Sequence, residues 1–183
     1  MPAPEGLRAQ VMAAGRQVAG DLAGSHEAQG SGYLLKVVQP ALLGLMDGSI
    51  STLAPLFASA FATRNPHTAF LIGAAAALGA GISMGFAEAL SDTGKLTGRG
   101  HPAVRGTITG VATLIGGLMH ALPFLIPHLQ LALVVAYFVV GIELVTIAFI
   151  RNRYFAMSFW LSFLQVIVGG MLVFLAGVLI GNS

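Results

Sequence analysis

The sequence predicts an all-α integral membrane protein with five transmembrane helices in each protomer. Its 183 residues are 56% hydrophobic and only 9% charged, whereas soluble domains are usually about 25% charged. Five apolar segments reach the roughly 20 residues that a helix needs to cross a bilayer. These segments are long and do not alternate between apolar and polar residues, which argues against membrane strands.

The five predicted spans cover 41–62, 69–90, 107–126, 130–150 and 156–180, with Pro66, Pro102 and Pro127 in the connections between them. Together they form a transmembrane domain over residues 33–183. Residues 1–32 predict a cytoplasmic segment that is either an amphipathic helix on the membrane surface or a flexible tail. This segment lacks the apolar stretch of a signal peptide.

The distribution of Lys and Arg predicts the orientation. If the N-terminus is cytoplasmic, eight of the nine basic residues lie inside and only Arg64 lies outside, as the positive-inside rule requires. The C-terminus is then external. A net charge of +2 gives no indication of a nucleic-acid partner, and the absence of cysteine excludes disulfides, thiolate metal ligands and thiol catalysis.

Four ionisable residues fall inside the predicted spans: Asp47, Glu88, His120 and Glu143. A charge at the bilayer centre costs about 2.5–3.5 kcal/mol on insertion scales, so such residues usually face a partner or a transport path. Asp47 and Met84 each lie six residues from the inner end of their span, roughly 9 Å deep. Glu143 lies seven residues from the inner end of its own span, and His120 is predicted to be alone in the outer half.

Carboxylates at the same depth as a thioether predict a metal site. Carboxylate and methionine together favour a borderline transition metal such as Fe²⁺, with Mn²⁺, Co²⁺ and Zn²⁺ close behind. Glu88 lies one helical turn closer to the cytoplasm than Met84 and on the same face, where it would admit the ion. Met84 could instead pack, and Glu88 could instead be an interfacial residue in water.

The other polar residues also have purely structural readings. Asp47 could hydrogen-bond Ser51 or cap a broken helix, Glu143 could pair with Arg151 or with a neighbouring helix, and His120 could be a satisfied interior histidine. Glu143 and His120 are predicted as possible additional metal ligands or a proton relay. Small residues let helices approach closely in lipid. Glycines of this kind near the predicted path are Gly44, Gly48, Gly81 and Gly85.

No enzyme is predicted. The sequence contains no Gly-x-Ser-x-Gly nucleophile elbow and no His-Glu-x-x-His zinc helix. A glycine-rich phosphate loop would need a strand before it, and none is predicted. No organic cofactor is expected.

Several segments resemble the vacuolar iron transporter family over roughly residues 36–181. They are "LMDGSISTLAPLF" in the first span, "GAGISMGFAEALSD" in the second, "GGLMHALPFLIP" in the third and "IGNS" after the fifth. Within that family, "GFAEALSDTGKLTGRGHP" is most similar to the membrane domain of bacterial membrane-bound ferritins.

The resemblance implies a homodimer in the bacterial inner membrane, with a path between protomers lined by the first two helices. Asp47 and Met84 fall on the family's intramembrane metal positions, and Glu88 falls on its acidic position at the end of the second helix. The implied activity is export of Fe²⁺, and also Mn²⁺, from the cytoplasm with proton antiport. Glu143 and His120 are not securely covered by these motifs.

Two departures from the family pattern affect how metal would arrive. The connection 91–105 is too short for the glutamate-rich metal-collecting domain of vacuolar members, and residues 1–32 lack the Glu-x-x-His motif of a ferritin-like domain. The metal would therefore arrive free or from a cytoplasmic iron-donating protein. Two other functions stay open: a non-transporting membrane scaffold or partner subunit, and a carrier or proton pathway for another solute.

Overall fold

The computed structural model describes residues 32–183, so the predicted N-terminal segment lies almost entirely outside the described residues. The prediction of five helices long and apolar enough to cross a membrane is confirmed. They are α1 (Leu34–Thr63), α2 (Pro66–Ser91), α3 (Pro102–Ala121), α4 (Leu129–Phe155) and α5 (Phe159–Gly181). The first turn of α1 is wound as a π-helix, and a short 3₁₀ helix, Leu122–Leu125, follows α3.

Helices α1, α2 and α4 are longer than their predicted spans, whereas α3 begins and ends five residues earlier than predicted and α5 begins three residues later. Pro66 and Pro102 are the first residues of α2 and α3 rather than part of the connections. Proline suits this position because its fixed φ matches the helix and its missing N–H has no intrahelical partner there. The side chains of Asn65 and His101 cap the two helices by accepting hydrogen bonds from the amides of the first turn.

Short connections join the helices in an up-and-down order. The start of α1, the α2–α3 loop and the α4–α5 loop therefore lie at one end of the bundle. This end is called the basic end below because it carries most of the cationic residues that the structure describes: Lys36, Lys95, Arg99, Arg105, Arg151 and Arg153. Arg64 lies at the opposite end, in the connection between α1 and α2.

Helix α3 packs between α1 and α2 through glycine contacts. A Cβ atom at Gly44 or Gly48 of α1 would overlap a backbone carbonyl oxygen of α3, at Thr109 and Thr113 respectively. These two helices therefore touch backbone to backbone, as small residues allow in membrane proteins.

The contact of α2 with α3 is also built on glycine. A Cβ at Gly81 would lie 2.9 Å from the carbonyl oxygen of Gly110, and one at Gly85 would lie 3.1 Å from that of Gly106. All four glycines that are predicted to lie near the path thus pack against α3. The half of the bundle opposite the basic end is filled instead by an aromatic cluster around Phe57, which packs on Phe124, Tyr137 and Phe174.

Replacing Gly48 with alanine is expected to destabilise the bundle by about 2 kcal/mol or more, because overpacking a close contact typically costs 1–3 kcal/mol. The added methyl group would meet the rigid carbonyl of Thr113, which has no rotamer by which to move away. The free energy of unfolding in mixed detergent micelles measures the effect.

Gly79→Ala is the matched control, since a Cβ at Gly79 of α2 has no atom within 4 Å. Alanine is the better helix former, so this variant is expected to be as stable as the parent or slightly more stable. Equal stability of the Gly48 and Gly79 variants would contradict the backbone contact between α1 and α3.

Candidate functional site

Asp47 lies on a partly exposed face of α1, one turn from the exposed residues Leu43 and Ser51. The hydroxyl of Ser51 donates its hydrogen bond to the backbone carbonyl of Asp47, at 2.6 Å, and not to its carboxylate. Within residues 32–183 no hydrogen bond or ion pair reaches the Asp47 carboxylate. Bonding to Ser51 therefore does not account for this charge.

Met84 lies at a similar depth on α2. Side-chain atoms of Thr52 and Ala77 both contact Gly117 of α3, which sets the register between α1 and α2. Asp47 is five residues from Thr52 toward the basic end, and Met84 is seven residues from Ala77 in the same direction. At about 1.5 Å per residue the two residues differ in depth by only about 3 Å. Both are partly buried.

No metal cage is formed by charged or imidazole side chains within the described part of the chain. Residues 32–183 contain no group of three His, Asp or Glu side chains arranged to hold an ion. Asp47 and Met84 of a single protomer would offer one carboxylate and one thioether. An ion held by these residues would need ligands from elsewhere, either water or a second copy of the chain.

Glu88 is engaged by two arginines rather than standing open at the mouth of a path. Its Oε1 atom accepts hydrogen bonds from Nη2 of Arg99 at 2.7 Å and from Nε of Arg105 at 2.9 Å. The side chain is only 6% exposed, so it is not an interfacial residue in water. As a metal ligand, Glu88 would first have to leave these guanidinium groups.

Asp92 completes a cluster of two acids and two arginines at the basic end, called the charged cluster below. One carboxylate oxygen of Asp92 lies 3.2 Å from Arg105 and the other 3.2 Å from Arg99. Although desolvation alone would raise the pKa of Asp92, the hydrogen bond from the Gly94 amide and the nearby Arg105 guanidinium outweigh it and lower that pKa. The cluster ties the α2–α3 loop to the ends of both helices.

Asp92, Arg99 and Arg105 are not among the site residues predicted from the sequence. Arg105 is the largest side chain buried in this structure and is only 1% exposed. The sequence indicates this cluster by its charges on either side of a short loop. Two acids lie at the end of α2, and two arginines lie before and inside the first turn of α3. The cost of burying an arginine is offset when carboxylates accept hydrogen bonds from its guanidinium group.

Glu143 and His120 form a second buried group, inside the bundle. Nε2 of His120 on α3 lies 2.6 Å from Oε2 of Glu143 on α4, an ion-pair distance, although the two groups are not aligned as a hydrogen bond. The hydroxyl oxygen of Ser49 on α1 lies 2.5 Å from Oε1 of the same side chain and 2.6 Å from the carbonyl oxygen of Leu45. His120 is 0% exposed and Glu143 is 3% exposed.

This pairing corrects one expectation, since His120 is not alone in its half of the membrane. Of the two partners predicted for Glu143, the structure shows the neighbouring helices rather than Arg151, whose guanidinium donates to Gln165. Helices α3 and α4 each reach five residues further toward the basic end than their predicted spans, to Pro102 and Phe155. Counted from the helix ends, the two residues therefore differ in depth as much as predicted, and the pairing comes from how α3 and α4 pack together.

Buried polar residues continue along one face of α3. Arg105, Thr109, Thr113 and His120 are spaced by four, four and seven residues, and each is at most 1% exposed. This spacing keeps them on the side of the helix that faces its neighbours. The interior along α3 is therefore polar from the charged cluster to the Glu143–His120 pair.

Comparison with known proteins adds no assignment: no protein-family profile, curated protein or solved structure matches this chain. The likeness to iron transporters rests on the sequence segments quoted above. The structure brings Glu143 and His120 together and places Asp47 and Met84 at a similar depth. It holds Glu88 in a separate charged cluster.

Proposed function

We propose that this chain is a divalent transition-metal exporter, with Fe²⁺ first and Mn²⁺ second, that moves metal out of the cytoplasm in exchange for protons. The observation that supports this most directly is the Asp47 carboxylate, which lies inside a membrane-length helix without a partner among the described residues. Charges in such segments are expensive and usually mark an ion path. A cation that binds to Asp47 while it crosses the membrane would account for the carboxylate at this position.

The ligand chemistry supports a transition metal over a hard ion. A thioether at the depth of Asp47 adds little for Mg²⁺ or Ca²⁺ but suits Fe²⁺ and its neighbours. In a homodimer, two copies of Asp47 and Met84 would supply two carboxylates and two thioethers. Two carboxylates would balance the charge of a divalent ion, and a small ligand set would still allow it to leave.

The charged cluster determines how metal would reach Asp47 from the basic end. Glu88 holds Arg99 and Arg105 at hydrogen-bonding distance, and a cation approaching this acid is repelled by both guanidinium groups. Metal access along Glu88 therefore requires the cluster to open. In this proposal the structure is the closed form of that end.

A flux measurement on purified protein in liposomes tests the proposal. Fe²⁺, kept reduced under anaerobic conditions, and Mn²⁺ are supplied on one side, with a metal-sensitive dye and a pH-sensitive dye on the other. We expect metal to cross and protons to move in the opposite direction, with Mg²⁺ much slower. Protein-free liposomes provide the background, and the absence of any metal movement above it would refute the proposal.

A proton pathway or a carrier for another solute is the second candidate. The buried Glu143–His120 pair favours it, because such a pair can hold a proton without any metal. Proton flux that persists in the complete absence of divalent metal would support this function. A scaffold would show neither flux, and its stability would not change when metal is added.

A further inference from the structure

We propose that the α2–α3 loop is a gate over the basic end of the bundle, and that Arg99 is the latch that holds it closed. The inference rests on the proposed metal export and deepens it, because it names the residue that must move before metal enters. The moving part is residues 95–100, which contain Arg99, while Glu88, Asp92 and Arg105 stay at the ends of α2 and α3.

Arg99 is held less firmly than Arg105. Arg105 lies in the first turn of α3 with its side chain 1% exposed, whereas Arg99 lies in the loop with its side chain 20% exposed. The Nε atom of Arg99 is buried and has no hydrogen-bond partner among the described residues. A buried donor without a partner costs free energy, so moving Arg99 into water would recover part of what its ion pairs provide. Of the two arginines, Arg99 is therefore the one that can leave.

The charges of the cluster allow this departure. Glu88 keeps the Nε atom of Arg105 at 2.9 Å, and Asp92 keeps the Nη1 atom of Arg105 at 3.2 Å. Neither acid is left without a cation when Arg99 moves, which avoids the large cost of a buried unpaired charge.

Movement of Arg99 would also change the net charge at the basic end. In the closed form two acids and two arginines sum to zero, whereas Glu88, Asp92 and Arg105 alone sum to −1. Opposite charges attract, so the open cluster would attract a cation that the closed cluster does not. Arg99 thus occupies the position of greatest attraction until the loop opens.

Glycines on both sides of Arg99 give this part of the chain its freedom. Gly98 and Gly100 have φ angles of +67° and +81°, and Gly94, just before the moving part, has a φ angle of +74°. Glycine adopts positive and negative φ about equally well because it has no Cβ atom. The backbone around Arg99 can therefore change conformation without a steric penalty from its neighbours.

In the closed form the loop also rests on α1. A Cβ atom at Gly100 would lie 3.0 Å from Cγ and 3.2 Å from Cδ of Lys36. Lys36 lies in the first turn of α1. The loop, which joins α2 to α3, therefore contacts α1 as well and covers the ends of the three helices that pack through glycine contacts.

A reversible cross-link between the loop and α1 tests the gate. The chain contains no cysteine, so Lys36→Cys combined with Gly100→Cys introduces one pair of thiols. Their Cβ atoms would lie within about 4.5 Å of each other, which a disulfide bond can span. We expect oxidation to reduce Mn²⁺ flux in liposomes at least about tenfold, and reduction to restore it to within about twofold of its starting level.

The double variant is its own control for strain at position 100, because the oxidised and reduced forms carry the same substitutions. Lys36→Cys alone, treated with the same oxidant, controls for damage by the oxidant and should keep its flux. Unchanged flux in the cross-linked protein would refute the gate.

Limited proteolysis tests the latch without any metal. The chain has two lysines, Lys36 in α1 and Lys95 in the loop, so a lysine-specific protease can cut the loop after Lys95. Cleavage of a native loop requires it to open, and Arg99→Gln is therefore expected to raise the rate at Lys95 at least about fivefold. Arg153→Gln removes an exposed arginine from the same end and should change the rate by less than about twofold.

The outcomes separate this inference from the proposed function. If the parent chain moves no Mn²⁺ or Fe²⁺, metal export fails and the gate fails with it, before any variant is made. If the parent moves metal but oxidation leaves the flux unchanged, export stands and the gate alone is refuted. Equal cleavage of the parent and Arg99→Gln would show that Arg99 is not the latch.

Discussion

Replacing Asp47 with asparagine is expected to reduce Mn²⁺ and Fe²⁺ flux by at least about 10- to 100-fold, since losing even an outer partner of a metal ligand has an effect of that size. Asparagine keeps the shape of the side chain but removes the charge that attracts the cation. The carboxylate has no partner in the described residues, so the fold should be retained or become slightly more stable. Liposome flux and thermal unfolding in detergent measure the two effects.

Ser51→Ala is the control for this variant. Ser51 lies one turn from Asp47 on the same face, and its hydroxyl bonds only to the backbone carbonyl of Asp47. Its loss should change flux by no more than about twofold. If Asp47→Asn transports as well as the parent, the metal site is elsewhere. If both variants lose flux equally, the loss comes from disturbing this face of α1 and not from removing the carboxylate.

Replacing Arg105 with methionine is expected to destabilise the protein by about 3 kcal/mol, because removing one partner of a buried ion pair leaves the other charge uncompensated. Arg105 is 1% exposed and holds both Glu88 and Asp92. Arg99 remains to neutralise part of the charge, which keeps the loss at the lower end of the usual range. Unfolding in mixed micelles measures it.

Lys95→Met is the matched control, since it removes the same charge from an exposed position in the same loop. It should change stability by less than about 0.5 kcal/mol. Acid provides a second check. Because the pKa of Asp92 is lowered in the folded protein, its contribution is complete above about pH 4 and is lost as the pH falls through the folded-state pKa. Arg105→Met should weaken this acid dependence, and an unchanged dependence would contradict the cluster.

The number and type of helices could be predicted from the sequence because long apolar runs have few alternative structures in a membrane. The similar depth of Asp47 and Met84 is also predicted, but the helix ends do not produce it: α1 begins thirteen residues before Asp47, whereas α2 ends seven residues after Met84. The match comes from the packing of both helices on Gly117 of α3.

The partners of the polar residues could not be predicted in this way. The pairing of His120 with Glu143 depends on how α3 and α4 pack against each other, which counting residues from the ends of the helices does not give. The engagement of Glu88 depends on how the loop folds back, which glycines with positive φ at Gly94, Gly98 and Gly100 make possible. Such side-chain geometry arises from tertiary packing and has no periodic signal.

The glycine contacts along α3 also bear on motion. Gly44 and Gly48 are one helical turn apart, as are the residues they touch, Thr109 and Thr113. At these two glycines no side chain of α1 separates the helices, so α1 could move along α3 by four residues, about 6 Å, once the contact of Thr52 with Gly117 is released. Membrane helices are known to shift in register by such steps. A one-turn shift would carry Ser49 away from Glu143, and it would move Asp47 to a new depth. A single displacement would therefore change the surroundings of Glu143 and of Asp47 at once.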